Sequence, residues 1–271
     1  MKGDYHMHTI FSDGENTAEE MVLKAIELGF KEVGISDHAF TPPYDWSIKK
    51  DGQREYIAEL KRLKEKYASR IAIFIGTEVD CFSVYDPDLY DYIIGSVHFI
   101  KTPKGYYAVD DRPEITMQCI DEVFGGNTDD YAEAYFEEVS KIFIKTGANI
   151  IGHFDLLTKF ERRGVSFDKS GAYDAAAKEA VRTLAGKAAF EINTGAMSRG
   201  YTLEPYPSSR ILSYIKEYGG EVAISSDAHS CSAIAHRFDL AKKVMADAGF
   251  SRAGFTDRAG KYHLQLLGKD Q

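Results

Sequence analysis

The strongest constraint on the fold of this chain is an alternation. Seven short β-rich runs are separated by longer stretches with helical periodicity. The runs centre on residues 5–9, 32–36, 71–78, 92–98, 149–153, 188–193 and 221–225. Between them, residues 17–28, 53–67, 129–146, 171–185, 208–218 and 233–248 space their apolar side chains for one buried helix face. The first of these carries explicit punctuation. Thr17 with Glu20 three residues on reads as a capping box, and Gly29 as the stop. Repeated strand–helix units predict a parallel sheet whose strands all end on one face. Closure of that sheet suits 271 residues, so the expected architecture is α/β, a distorted (β/α)7 TIM-like barrel one unit short of the usual eight. An open doubly wound sheet is the alternative, but no glycine-rich phosphate loop follows the first run. Without an internal repeat or a composition break, residues 1–271 are expected to form one domain.

Composition narrows the partners. A net charge of −9 argues against a nucleic-acid backbone as ligand. It leaves anionic small molecules open, because bound divalent ions reverse the charge locally. Cys81, Cys119 and Cys231 lie far apart without CxxC spacing, which reads as reduced thiols. The N-terminus has no apolar leader segment, and the longest apolar runs are strand-sized. A cytoplasmic protein with no membrane contact is expected, its oligomeric state open. Residues 39–52 form a long loop with Pro42, Pro43, Tyr44 and Trp46; a lid and an ordinary packed loop are equally in keeping with it.

The chemistry lies in the histidines. Six of eight, namely His6, His8, His38, His98, His153 and His229, fall at or just beyond expected strand ends, with Asp13, Asp37, Glu78, Asp155 and Asp227 beside them. In a parallel barrel those ends open on one face. The pairs His6/His8, His153/Asp155 and Asp227/His229 are spaced i, i+2, which on a strand puts both side chains on one side about 6.6 Å apart. One such pair is weak evidence, since a lone histidine is usually a hydrogen-bonded structural residue. Six on one rim would leave many buried polar atoms unpaired unless they bind something. Mixed imidazole and carboxylate donors suit zinc, manganese or iron. Asp37 is a candidate for orienting an imidazole. His236 and His263 lack such a setting and read as structural or exposed.

The motifs His6-x-His8-Thr9-x-x-Ser12-Asp13-Gly14, Ser36-Asp37-His38, Gly76-x-Glu78, Ser96-Val97-His98, Gly152-His153-x-Asp155 and Ser226-Asp227-x-His229 resemble those of the polymerase and histidinol phosphatase (PHP) superfamily. The resemblance implies a PHP-type barrel with three divalent metal ions. It assigns His6, His8, Glu78 and Asp227 to a first ion. Glu78 would bridge to a second held by His98 and His153, and Asp13, His38 and His229 would hold the third. Glu191-Ile192-Asn193-Thr194-Gly195, Arg199-Gly200 and Glu204-Pro205-Tyr206-Pro207-Ser208 resemble the histidinol-phosphate phosphatase branch. There, arginines meet the substrate phosphate: Arg199 matches, with Arg162 or Arg163 as the second.

The implied activity is metal-dependent phosphomonoester hydrolysis, L-histidinol phosphate being the favoured substrate and metal-activated hydroxide the nucleophile. Asp155 or His229 would protonate the leaving alkoxide. Asp45 and Glu204 are candidates for the substrate ammonium, and Trp46 and Tyr206 for its ring. The alternative keeps the site and changes the substrate to a nucleotide or another small phosphate ester. Barrel amidohydrolysis fits less well, since those sites lack the additional Glu78 and His98, and a nucleic-acid processing module fits poorly with the acidic balance.

Overall fold

The computed structural model describes residues 3–42, 44–169 and 171–266. Eleven strands and eight α-helices are defined among them. The strands are β1 (Gly3–Asp4), β2 (Glu32–Ile35), β3 (Ala72–Val79), β4 (Tyr92–Gly95), β5 (Phe99–Thr102), β6 (Gly105–Ala108), β7 (Ile150–Ile151), β8 (Ala189–Asn193), β9 (Glu221–Ser225), β10 (Ala253–Thr256) and β11 (Tyr262–Leu266). The helices are α1 (Ala18–Glu27), α2 (Gln53–Lys66), α3 (Pro113–Phe124), α4 (Thr128–Thr146), α5 (Ala172–Leu184), α6 (Gly195–Ser198), α7 (Ser209–Glu217) and α8 (Phe238–Asp247). A 3-10 helix, Leu156–Arg163, follows β7.

Seven strands form one sheet in the order β1-β2-β3-β4-β7-β8-β9, every neighbouring pair parallel. The sheet curls until its edges meet. Met7 and Ala228 form a parallel bridge, with His8 N donating to Ala228 O at 2.8 Å and Ala228 N to His6 O at 3.2 Å. Elsewhere the seam is completed by side chains. Gln265 accepts from Ile224 N at 2.8 Å and donates to Ile224 O at 2.6 Å, and the Asp4 carboxylate accepts from Ser226 N and Oγ. The expected (β/α)7 barrel is therefore found, although its first strand pairs over Gly3–Asp4 and the run expected at 5–9 contributes a bridge from Met7 to Ala228.

Alternation along the strands divides the apolar residues. Val33, Ile35, Ile73, Ile75, Phe190 and Ile192 belong to the larger core that includes the helices' buried residues. Tyr5, Tyr92, Ile94, Ile150, Ala189, Ala223 and Phe255 pack together in a second, interior cluster. Tyr92 fills the space left by two glycines: a Cβ at Gly34 would stand 2.1 Å from its hydroxyl, and one at Gly76 2.2 Å from its Cζ. The Tyr92 hydroxyl donates to Tyr5 O at 2.5 Å. At the other end β10 and β11 form an antiparallel hairpin that plugs the barrel. His263 is buried there, against Phe255 and Phe74, with its ring nitrogens 2.7 Å from Asp257 Oδ2 and 3.3 Å from Glu32 Oε2.

Helix ends follow their local chemistry. Thr17 and Glu20 form the capping box, each bonding the other's backbone N–H. The helix expected from residue 233 begins instead at Phe238, because Ala235 and Arg237 take left-handed backbone angles (φ 59° and 48°) that break it. The β5–β6 hairpin, α3 and the plug hairpin lie outside the strand–helix rhythm and were not anticipated.

Candidate metal centre

Glu78, near the end of β3, is the hub. Its Oε2 lies 3.2 Å from His6 Nε2, 3.4 Å from His8 Nε2 and 3.0 Å from His38 Nδ1; its Oε1 lies 2.9 Å from His153 Nε2 and 3.4 Å from His98 Nε2. Asp227 Oδ1 stands 3.3 Å from His8 Nε2. Asp13 closes the outer side, 3.2 Å from His229 Nε2 and 3.5 Å from His8 Nδ1. Nine widely separated side chains thus converge. Among the described residues they contain three overlapping donor sets able to hold a cation: His6/His8/Asp227, His38/Glu78/His98 and His8/Asp13/His38/His229.

The electrostatics favour cations. Glu78, Asp13 and Asp227 are each opposed by burial, yet facing imidazoles, with Arg199 at Asp227, hold all three carboxyls below their usual range. Burial likewise opposes charging of His6 and His98, but Glu191 and Glu78 outweigh it at His6, and Glu78 and Asp80 at His98, so both imidazoles are raised. Burial drives His38 down to about 3. In a cluster like this protons occupy places that a divalent cation fills better. The residues fit such ions: the buried His8 Nδ1 has no hydrogen-bond partner although it faces Asp13, and the donor set is the mixed imidazole–carboxylate kind that suits zinc, manganese or iron.

Local structure aims these donors. Asp227 takes a left-handed angle (φ 47°) and lies so close to Gly195 that a Cβ there would be 2.6 Å from its Oδ2. Asp37 does not orient an imidazole as expected. It accepts from Thr9 N and Oγ1 (both 2.8 Å), Ser12 N (3.2 Å) and Ser12 Oγ (2.5 Å), fixing the turn that carries Asp13. Sequence reasoning missed Asp80, which accepts from His98 N at 2.8 Å, and gave no role to Glu191.

Above the donors opens a cavity of about 510 Å³. Arg199 and Lys159 are the cations in its wall, and Asp45, Asp110 and Asp111 the additional acids. Arg199 donates to Asp227 O at 3.0 Å and Asp227 Oδ2 at 3.1 Å. The Lys159 ammonium donates to Asp110 O at 2.6 Å and Oδ2 at 3.0 Å. The loop after His38 is packed against this wall. Tyr44 stacks on Phe99 at 3.9 Å, and Trp46 stands edge-on to His38 at 4.6 Å; Pro43 lies outside the described residues.

Five expected site residues, Asp155, Arg162, Arg163, Glu204 and Tyr206, lie elsewhere. The same-face argument fails for His153 and Asp155, because β7 ends at Ile151 and the chain turns into the 3-10 helix. His153 reaches Glu78, whereas Asp155 is buried outside the cavity's lining, accepting from Ser208 N at 3.0 Å, and burial raises its carboxyl to about 6. Arg162 lines a neighbouring hollow together with Glu204 and Tyr206, one turn (about 6 Å) beyond Lys159 on the same helix. Arg163 lies over the Tyr201 ring at 4.7 Å.

Barrel and cluster together define the class: a hydrolase that works with metal ions gathered at the carboxyl ends of parallel strands. The PHP domain family matches residues 4–195. The chain belongs to that family. It is 29% identical over 265 residues to the histidinol-phosphatase of Lactococcus lactis, which spans 92% of each chain. It is 28% identical over 271 residues to a Deinococcus radiodurans protein named "Probable histidinol-phosphatase", covering 94% of this chain and 96% of that one. The crystal structure of histidinol phosphate phosphatase from Lactococcus lactis, complexed with zinc, L-histidinol and phosphate, superimposes with a TM-score of 0.72 at 25% identity. It covers 97% of this chain and 98% of that one.

Proposed function

We propose that this chain is a phosphoric monoester hydrolase that converts L-histidinol phosphate to L-histidinol and phosphate. The observation that carries the reading is the cavity: three cation-donor sets, two fixed cationic side chains and an acidic, aromatic wall share one space. The first ion belongs to His6, His8, Glu78 and Asp227, the second to Glu78, His98 and His153, and the third to Asp13, His38 and His229. Zinc, manganese and iron all suit these donors. Bound there, such ions supply a water acidified towards a pKa of about 7 and neutralise phosphoryl oxygens.

The chain's own residues do the rest. Arg199, held by Asp227, offers its remaining N–H groups to two phosphate oxygens, and Lys159 adds a point charge. Asp45, Asp110 and Asp111 receive the ammonium of the leaving group, and Trp46 and Tyr44 flank its imidazole. Glu204 and Tyr206 line the neighbouring hollow and take no part. Of the two proton donors considered for the alkoxide, Asp155 lies outside the cavity and His229 within it. Residues 1–271 act as one domain, closed below by the β10–β11 hairpin. Three free cysteines suit the cytoplasm, the acidic charge disfavours nucleic acid, and no described helix is long and apolar enough to cross a membrane.

The test is elemental analysis of the purified protein combined with phosphate release from L-histidinol phosphate and a panel of nucleotides and sugar phosphates. The highest kcat/KM should fall on L-histidinol phosphate. A clear preference for a nucleotide would transfer the site to the alternative substrate class.

A further inference from the structure

Glu191, on β8, is fully buried beneath the metal centre and is not among the nine donors. Each of its oxygens faces two donor groups. Oε1 lies 2.5 Å from His6 Nδ1 and accepts from Ser225 Oγ. Oε2 accepts from His153 N at 2.8 Å and Asn193 Nδ2 at 2.8 Å. Asn193 cannot turn its amide round to relieve this, because its Oδ1 already accepts from Gly195 N at 2.8 Å. Only a group with acceptors at both ends satisfies such surroundings, and a carboxylate is that group.

We infer that Glu191 is a positioning residue that presets two ion sites at once, fixing His6 with its proton on Nδ1 and anchoring the backbone that carries His153. An imidazole ligates through a bare nitrogen, so the hydrogen bond at Nδ1 decides that Nε2, which faces Glu78 and His8, is the ligating atom. The same carboxylate holds the second ion's histidine through its N–H. The inference rests on the metal-centre reading and not on the identity of the substrate.

Glu191→Gln is the informative variant because it keeps the shape. Its NH2 cannot face His153 N–H, a backbone donor with no alternative role. It must therefore occupy the Oε1 position and face His6 Nδ1. His6 then carries its proton on Nε2, where an ion should bind.

The experiment uses the metal-loaded enzyme labelled with 15N at histidine, together with zinc competition against a chromophoric chelator. In the wild type the His6 proton should sit on Nδ1. In Glu191→Gln that resonance should be lost and the first ion should bind about 10–100-fold more weakly, while the retained carbonyl still accepts from His153 N. In Glu191→Ala, which removes that acceptor too, the second ion should also weaken, the third ion unchanged. A loaded wild type with the His6 proton on Nε2 overturns the proposal, and so does a variant whose ions are all as tight as before. Weakening of the first ion alone in Glu191→Ala overturns the link to His153. The wild-type measurement decides the tautomer even if the variant does not fold. A chain that takes up no ions sinks the metal-centre reading and this inference with it, whereas failure on the substrate panel leaves it standing.

Discussion

Replacing Arg199 by alanine separates phosphate recognition from ion binding. Arg199 spends two N–H groups on Asp227, at 3.0 and 3.1 Å, and its Nη1 also faces His229 Nδ1 at 2.9 Å, which fixes the guanidinium plane beside the donor cluster. The groups left over can meet two phosphate oxygens side by side. A hydrogen bond to a charged partner contributes about 1.5–3 kcal/mol. At the lower value for each of two bonds the loss is about 3 kcal/mol, or about 150-fold in kcat/KM. The assay is phosphate release from L-histidinol phosphate, with metal content measured on the same sample because both Asp227 and His229, which Arg199 touches, are proposed ion donors. Arg252 is the control: it is paired at 3.2 Å with Glu221, and neither residue is among those lining the cavity. Arg252→Ala should leave activity unchanged, and Arg199→Lys should fall between, keeping charge but losing the fork. If Arg199→Ala keeps its metal and matches Arg252→Ala, the phosphate clamp is wrong.

Gly195→Ala would place a Cβ 2.6 Å from Asp227 Oδ2 and 2.7 Å from its Cβ, so Asp227 must move. A displacement of about 1 Å at such a site costs on the order of 100-fold in rate, and full metal content with full kcat would refute the packing argument. His263→Leu should cost about 1–3 kcal/mol at pH 7 by leaving Asp257 and Glu32 without their buried partner. Burial alone would raise the Asp257 carboxyl, but bonds from His263 and Lys261 N hold it below the usual range. A depressed carboxyl stabilises the fold above its unfolded value and loses that contribution as pH falls through the folded one. Urea unfolding should therefore show the wild-type advantage shrinking below about pH 4; an advantage that grows there would refute the linkage.

The rhythm of strands and helices was legible because each unit satisfies its own backbone and advertises its buried face locally. The rule that parallel strand ends share a face gathered six histidines and five carboxylates. It was the resemblance to the PHP superfamily that singled out nine of these eleven as donors, and those nine side chains do converge. What the sequence hid was geometry beyond those ends. The i, i+2 rule describes a strand, and at Asp155 the chain has already turned. Asp227 and His229 reach the centre although they also lie beyond their strand, through a left-handed residue that no periodicity announces. Lys159 and Asp110 meet across 49 residues of chain, and nothing local marks either as a partner. Glu191 did leave a trace: it and Asn193 are the polar residues of an otherwise apolar strand, spaced to share a side. A carboxylate buried inside a core strand needs several donors, and here two of them belong to ion-site histidines.

The sign of the field in the cavity settles how an acidic protein can take a dianion. Without ions, Asp13, Glu78 and Asp227 are held ionised beneath the space a phosphate would occupy, with Asp45, Asp110 and Asp111 around it. Arg199 and Lys159 are each already bonded to one of these acids. The three divalent cations proposed for these donors would bring six positive charges against three carboxylates, turning the floor positive while the outer acids keep their preference for an ammonium. Phosphate binding should therefore be conditional on metal. Calorimetry with inorganic phosphate should show uptake by the loaded chain and none by the chelated chain, with loss of that uptake in loaded Arg199→Ala. Equal binding with and without ions would mean that the side chains alone make the anion site, and the role given to the cluster would fail.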